Sequence, residues 1–379
     1  MMPARPWSVR KRRHEWQRWL PAFALLFLAP AITPSATATG GDVRPAAIVS
    51  EGFIYTEAPF PQAHASTLVE TTGGEIVAAW FGGTHERHPD VEIHVARLGP
   101  GGWSTPVAVA DGVQEDGSRL PTWNPVLFQA PGGPLWLFYK VGPDPRRWWG
   151  MAMRSLDGGQ SWSAAERLPA GVLGPIKNKP VVLANGDWLS PSSTETGTAR
   201  DADWRLHFER SADGGRTWAR TAAVEPLNGL DAIQPSLLFH ADGRLQAVAR
   251  TAQGVVASTW SSDGGHHWTP VDAIDLANPN SGTDALTLAD GRQLIVYNPG
   301  AHHPETPGKG PRWPLAVALS DDGVRWRRVL TLESGPIEHG YAYPAVIQAR
   351  DGLVHVSYTW GRVRIKHVVL DPARLEPEA

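Results

Sequence analysis

The stretches SLDGGQSW (155–162), SADGGRTW (211–218) and SSDGGHHW (261–268) repeat one pattern, S-x-D-G-G-x-x-W. SDDGVRW (320–326) is a shortened copy and RLGPGGW (97–103) a degenerate one. Their tryptophans, Trp103, Trp162, Trp218, Trp268 and Trp326, stand 59, 56, 50 and 58 residues apart. A period of that length marks a repeat architecture. The chemistry inside the pattern is that of a turn. An Asp carboxylate accepts backbone N–H groups, Gly adopts dihedrals closed to other residues, and Trp packs against a neighbouring unit. Asp157, Asp213, Asp263 and Asp321 are therefore expected to hold turns, and His266 and His267 to be solvated turn residues.

A second repeat runs in step with the first. TLVETTGGEIVAAW (67–80), PVLFQAPGGPLWLFY (125–139), PVVLANGDWLS (180–190), PSLLFHADGRLQAVAR (235–250), DALTLADGRQLIVY (284–297) and PAVIQARDGLVHVSY (344–358) each read as a β-hairpin. Each has an apolar strand, a Gly-containing turn and a second strand rich in branched and aromatic residues. A third strand follows, as in VEIHVARL (91–98) and WRLHFERS (204–211). Four strands per unit in six units describe an all-β fold, a six-bladed β-propeller of four-stranded antiparallel blades spanning 42–379. Two stacked sandwiches would not produce a uniform four-strand period. The sixth hairpin has no turn pattern after it. RIKHVVLD (364–371) supplies its third strand and GFIYTE (52–57), from the other end of the chain, its fourth.

Composition bounds the chemistry. The chain has 379 residues and no cysteine, which excludes disulfides, thiolate metal sites and a cysteine nucleophile. Arg5, Arg10, Lys11, Arg12, Arg13 and Arg18 precede an apolar run from Leu20 to Ile32 and then the small residues Ser35-Ala36-Thr37-Ala38. That order is a secretory signal peptide over residues 1–38. The apolar run, interrupted by Pro21 and Pro30, is too short to span a bilayer. The expected location is exported, periplasmic or secreted. Cleavage removes six basic residues and one acidic one, Glu15, leaving 29 basic and 37 acidic residues and a net charge of −8. An acidic exported chain is a poor nucleic-acid binder. No cofactor or metal site is expected.

Aligning the six first strands just before their apolar runs gives His64, Asn124, Lys179, Gln234, Asp284 and Tyr343, a ring of polar residues at the strand starts. In a meandering blade these starts share a face with the connections from second to third strand, opposite the tryptophan turns. Those connections, among them 81–90, 140–149, 190–203 and 298–313, are dense in His, Arg, Lys and carboxylates. Loops of that kind on a rigid scaffold are where sites are built.

The repeated S-x-D-x-G-x-x-W pattern resembles the Asp-box, or BNR, repeat of the sialidase (neuraminidase) superfamily. The resemblance covers nearly the whole mature chain and implies a glycoside hydrolase of the exo-α-sialidase kind acting on an acidic sugar. It also implies roles. HADGRLQAVAR places Arg250, and RWPLAVALSDDG places Arg312, where the family's arginines grip a sugar carboxylate. YPAVIQARDG places Tyr343 at the family nucleophile. The family's acid sits in the loop after the first hairpin, which here offers Glu86 and Asp90. Asp90 is preferred because VEIHVAR follows it. Two departures stand out. HASTL puts His64 at the place of the family's first arginine, and DAIQP puts Ala232 or Ile233 where a glutamate flanks the tyrosine. A base for Tyr343 must then come from Glu195, Asp284 or His64. The alternatives are a uronic-acid-directed polysaccharide lyase or atypical glycosidase using His64, Tyr343, Lys179 and Arg250, and a non-catalytic glycan-binding propeller.

Overall fold

The computed structural model describes residues 45–197, 202–303, 306 and 309–376; the expected signal segment, 1–38, and parts of loops 190–203 and 298–313 lie outside the described residues. Six antiparallel sheets follow one another along the chain. The first strand of blade 1 is Gln62–Glu70, of blade 2 Thr122–Gln129, of blade 3 Val181–Val182, of blade 4 Ala232–Phe239, of blade 5 Asp284–Thr287 and of blade 6 Tyr341–Gln348. Blade 6 is completed by Ile48–Phe53, four residues before the expected 52–57, which pairs antiparallel with Arg364–Leu370, Phe53 opposite Lys366. The ring is thus closed by strands from both ends of the described chain within one sheet. Lys366 fastens the closure, with Nζ 2.9 Å from Glu51 and 2.7 Å from Glu333. Among the described residues no helix is long and apolar enough to cross a membrane.

The expected turns are present at the ends of the third strands. Asp213 Oδ1 accepts Arg216 N at 3.0 Å and Thr217 N at 2.8 Å, and Trp218 Nε1 donates to Gly215 O. Gly215 has φ +87°, and a Cβ there would lie 2.8 Å from Trp188, so no other residue fits. Trp268 stacks on Phe208 of the preceding blade at 3.9 Å between ring centres, showing how each turn seals an inter-blade seam. His267 is exposed and donates only to Asp263 of its own turn. One assignment is corrected. In the shortened copy the turn is held by Asp322, which accepts Val324 N and Arg325 N at 2.8 Å each. Asp321 points outward to Arg327. Asp322 stands two residues after Ser320, as Asp213 stands after Ser211, and the missing glycine falls after the capping position.

Candidate active site at the channel mouth

The ring of strand starts follows a rule that the apolar runs conceal. In blades 1, 2, 4 and 6 the pairing of first and second strands slips, between His64 and Thr67, Trp123 and Val126, Ile233 and Ser236, and Ala342 and Ala345. At each slip one non-glycine residue has a left-handed backbone: Ala65 (φ 56°), Asn124 (36°), Gln234 (61°) and Tyr343 (53°). Such conformations cost free energy and collect at functional sites. A bulge of this kind re-aims a side chain. Counting from the hairpin turns, where Leu183 pairs with Asp187 and Leu288 with Arg292, the equivalent residues in blades 3 and 5 are Lys177 and Gly282.

This corrects half of the expected ring. Asn124, Gln234 and Tyr343 occupy the position, and Asn124 is 5% exposed there. His64 stands one residue before it. Lys179 and Asp284 stand two residues beyond it and form a salt bridge of 3.0 Å in the channel wall. Asp284 also accepts Ser236 Oγ at 2.9 Å and Val346 N at 2.8 Å, so it joins four blades. Gly282 leaves room for Tyr343. A Cβ there would lie 3.1 Å from the phenol ring.

Tyr343 is the centre of the site. Its hydroxyl accepts Arg250 Nη2 at 3.0 Å and Gln234 Nε2 at 3.3 Å. Arg250 is further fixed through Nη1 to Asn280 O at 2.9 Å, while its Nε and Gln234 Oε1 are buried without a partner. Arg312 lies over the phenol ring at 5.8 Å from its centre. Burial, with the charges of Arg362 and Arg250 added and that of Tyr343 opposing, pushes its guanidinium down to about 10, still protonated at neutral pH. Lys177 sits 5.6 Å from the ring centre on the same side chain. Its Nζ donates to Pro344 O at 2.6 Å and Thr283 O at 2.9 Å, tying blades 3, 5 and 6 behind the tyrosine. Burial brings Lys177 down to about 7, with Asp284 opposing. His64 packs on Tyr343 at 4.2 Å between ring centres and shares a hydrogen bond of 2.9 Å with Thr359. Burial first, and then Arg362, Arg312, Arg250 and Lys177, hold its pKa well below the ordinary value, so the imidazole is neutral.

The remaining candidates are distributed around this centre. Asp90 is spent within its own loop, accepting Thr84 N at 3.0 Å and Thr84 Oγ1 at 2.6 Å. Burial alone would raise its pKa, but those bonds and His88 outweigh it and leave the carboxyl below its usual range. Glu86, by contrast, reaches the cation cluster and binds Arg362 Nη1 at 2.6 Å. Arg362, which the sequence reading passed over, supplies a third arginine beside His64, where the family pattern has its first. Glu195 lies in a neighbouring pocket. Burial raises its pKa despite the charges of Arg250, Arg146 and Arg87. No group of three or more metal-ligating side chains converges among the described residues.

The BNR repeat-like domain matches residues 74–356, from the turn of the first hairpin into the second strand of the sixth. The chain belongs to that family. It is a sialidase-like BNR-repeat protein, and solved structures resemble it over most of its length. A Dyadobacter fermentans protein of unknown function shares 20% identity with a TM-score of 0.68, covering 85% of this chain and 98% of that one. The NanB sialidase of Streptococcus pneumoniae shares 14% with a TM-score of 0.65, covering 86% and 71%. The intramolecular trans-sialidase of Ruminococcus gnavus shares 13% with a TM-score of 0.66, covering 88% and 100%. At these identities the likeness is one of fold. No curated protein matches the chain.

Proposed function

We propose that this protein is an exported, sialidase-like exo-glycosidase that removes an acidic sugar, sialic acid or a relative of it, from a glycan terminus. The observation that supports this most is the setting of Tyr343, a phenol at the channel mouth with Arg250, Arg312 and Arg362 around it. A guanidinium matches a carboxylate in charge and paired geometry, so three of them in one place favour an anionic substrate. In this reading the arginines hold the sugar carboxylate and Tyr343 attacks the anomeric carbon. Glu195, whose carboxyl is kept protonated more readily than usual by burial, hands its proton to the departing oxygen. His64, packed on the phenol ring, is the base in this reading, and the substrate carboxylate among the arginines offsets the positive charge that the imidazole gains with the phenolic proton.

A second reading has its own support. Among the described residues the hydrogen-bond partners of the Tyr343 oxygen are both N–H donors, Gln234 and Arg250, and no carboxylate binds it. A neutral His64 beside Tyr343 suits a uronate lyase, in which Arg250 neutralises the carboxylate while a proton α to it is removed. Purified protein freed of residues 1–38 is assayed on fluorogenic glycosides of sialic acid and of uronic acids, and on polyuronates followed by near-ultraviolet absorbance. Fluorophore release from an acidic glycoside supports the hydrolase, and an absorbance rise on polyuronate supports the lyase. Turnover confined to neutral glycosides refutes both.

A further inference from the structure

The strongest unassigned feature lies between blades 2 and 3. It is a pocket of about 180 Å³ lined by Arg146, Trp148, Leu173, Thr194, Glu195 and Arg220. We propose that this pocket is a subsite for a second anionic sugar, on the leaving-group side of the bond that is cut, so that the substrate is an acidic oligosaccharide and not a single acidic cap on a neutral glycan. The inference rests on the acidic-sugar reading above and extends it.

Three observations carry it. Electrostatics comes first. The chain is net negative, at −3, yet Arg146 and Arg220 line the pocket against one carboxyl, Glu195, with Arg87 near enough to act on it, and none of these arginines forms an ion pair among the described residues. An excess of arginines in a concave site raises the local concentration of anions. Shape comes second. Trp148 is half-buried, with its ring set edge-on against Trp123 at 5.9 Å, and Trp123 is pinned by its own bond to Gly142 O at 2.7 Å. A fixed indole beside two guanidinium groups offers an apolar face for a sugar ring and donors for its charge. The volume is below the roughly 300 Å³ of pockets that enclose a drug-sized ligand, a size suited to one ring held on one side.

Continuity comes third. Glu195 lines this pocket and pairs across the sheet with Trp204, whose ring lies 5.8 Å from the guanidinium of Arg250, which holds the Tyr343 oxygen. Glu195 therefore stands between the two compartments. A proton delivered from Glu195 to a bridging oxygen leaves the cleaved sugar over Tyr343 and the released one against Trp148.

Isothermal titration on full-length Tyr343→Phe, in which turnover is blocked, tests this. The probes are N-acetylneuraminic acid and its α2,8-linked dimer, galacturonate and its α1,4-linked dimer, and lactose as a neutral dimer. In the series the protein uses, the acidic dimer is expected to bind roughly ten- to a hundredfold more tightly than its monomer. Adding R146A/R220A is expected to abolish that gain and leave the monomer unchanged. Both arginines are exposed, so the fold is not at stake. A dimer no tighter than its monomer, a gain that survives R146A/R220A, or an equal gain for lactose refutes the subsite while the acidic-sugar reading stands. If neither acidic monomer nor acidic dimer binds, that reading falls and the subsite with it.

Discussion

Asp284 was a candidate for substrate binding, but its contacts make it a structural hub, and the consequence is measurable. Its carboxylate is 2% exposed and accepts Lys179 Nζ at 3.0 Å, Ser236 Oγ at 2.9 Å and the Val346 and Ala285 N–H groups at 2.8 and 2.9 Å. In Asp284→Ala, Ser236 Oγ keeps its bond to Ala285 N, and Lys179, 24% exposed, recovers part of its solvation from water. The Val346 N–H has no substitute acceptor, and an orphaned buried donor costs about 1–3 kcal/mol. Removing one partner of a buried pair costs about 3–5 kcal/mol, and the exposure of Lys179 argues for the lower half of a combined loss of about 3–5 kcal/mol. Roughly 330 ordered residues at about 2.1 cal/mol/K each give an unfolding entropy near 0.7 kcal/mol/K, so Tm is expected to fall by about 4–6 °C. Tryptophan fluorescence during a thermal ramp reads this directly. Asp284→Asn, which keeps the shape and can still accept Val346 N–H, is expected to fall less. A wild-type Tm in Asp284→Ala combined with lost ligand binding would show that Asp284 faces substrate.

Other consequences follow from the same contacts. Asp322→Ala is expected to cost about 1–2 kcal/mol, because it leaves Val324 N and Arg325 N without their acceptor, whereas Asp321→Ala stays within about 0.5 kcal/mol; equal melting shifts would contradict the corrected turn. Arg312→Lys keeps the charge but loses the fork, so kcat/KM on an acidic glycoside is expected to drop by about 1–3 kcal/mol with little change in Tm, and unchanged kinetics would remove Arg312 from the site. Acid should destabilise the propeller. Burial pushes His367 down to about 3 and, beside it, also lowers His355, and the two imidazoles hydrogen-bond at 3.0 Å. Their folded pKa values lie below the unfolded one, so the unfolded chain binds more protons, and stability present above about pH 6.5 is lost as pH falls toward about 3. A Tm that stays flat between pH 7 and 4 would contradict this.

The fold was open to reading because its signals are local and repeated. The box turns need Ser, Asp, Gly and Trp at fixed offsets, and the hairpins alternate apolar strand and Gly turn, so counting was enough. That both ends of the chain close the ring followed from the same count, since a sixth blade lacked its last strand, but the N-terminal strand lies at 48–53 and not at 52–57. The ring was only half open to it. Apolar runs start where packing starts, and in blades 3 and 5 that lies two residues beyond the ring position, so Lys179 and Asp284 stood in for Lys177 and Gly282. Counting back from the hairpin turns would have found both, because hairpin geometry fixes register. Arg362 was hidden for another reason. It reaches His64 from a loop nearly 300 residues away, and no spacing in a single sequence records that. Asp90 and Glu86, four residues apart, differ only in which way the loop turns them, and that depends on Thr84 and Arg362.

The most direct measurement is turnover by Tyr343→Phe. Phenylalanine keeps the ring that packs on His64 and lies under Lys177 and Arg312, and it removes the one oxygen that Arg250 and Gln234 hold. The variant is expected to melt with the wild type and to lose at least about two orders of magnitude in turnover of an acidic glycoside. Wild-type turnover in a well-folded Tyr343→Phe would show that the ring is a plug in the channel and that the reactive centre lies elsewhere.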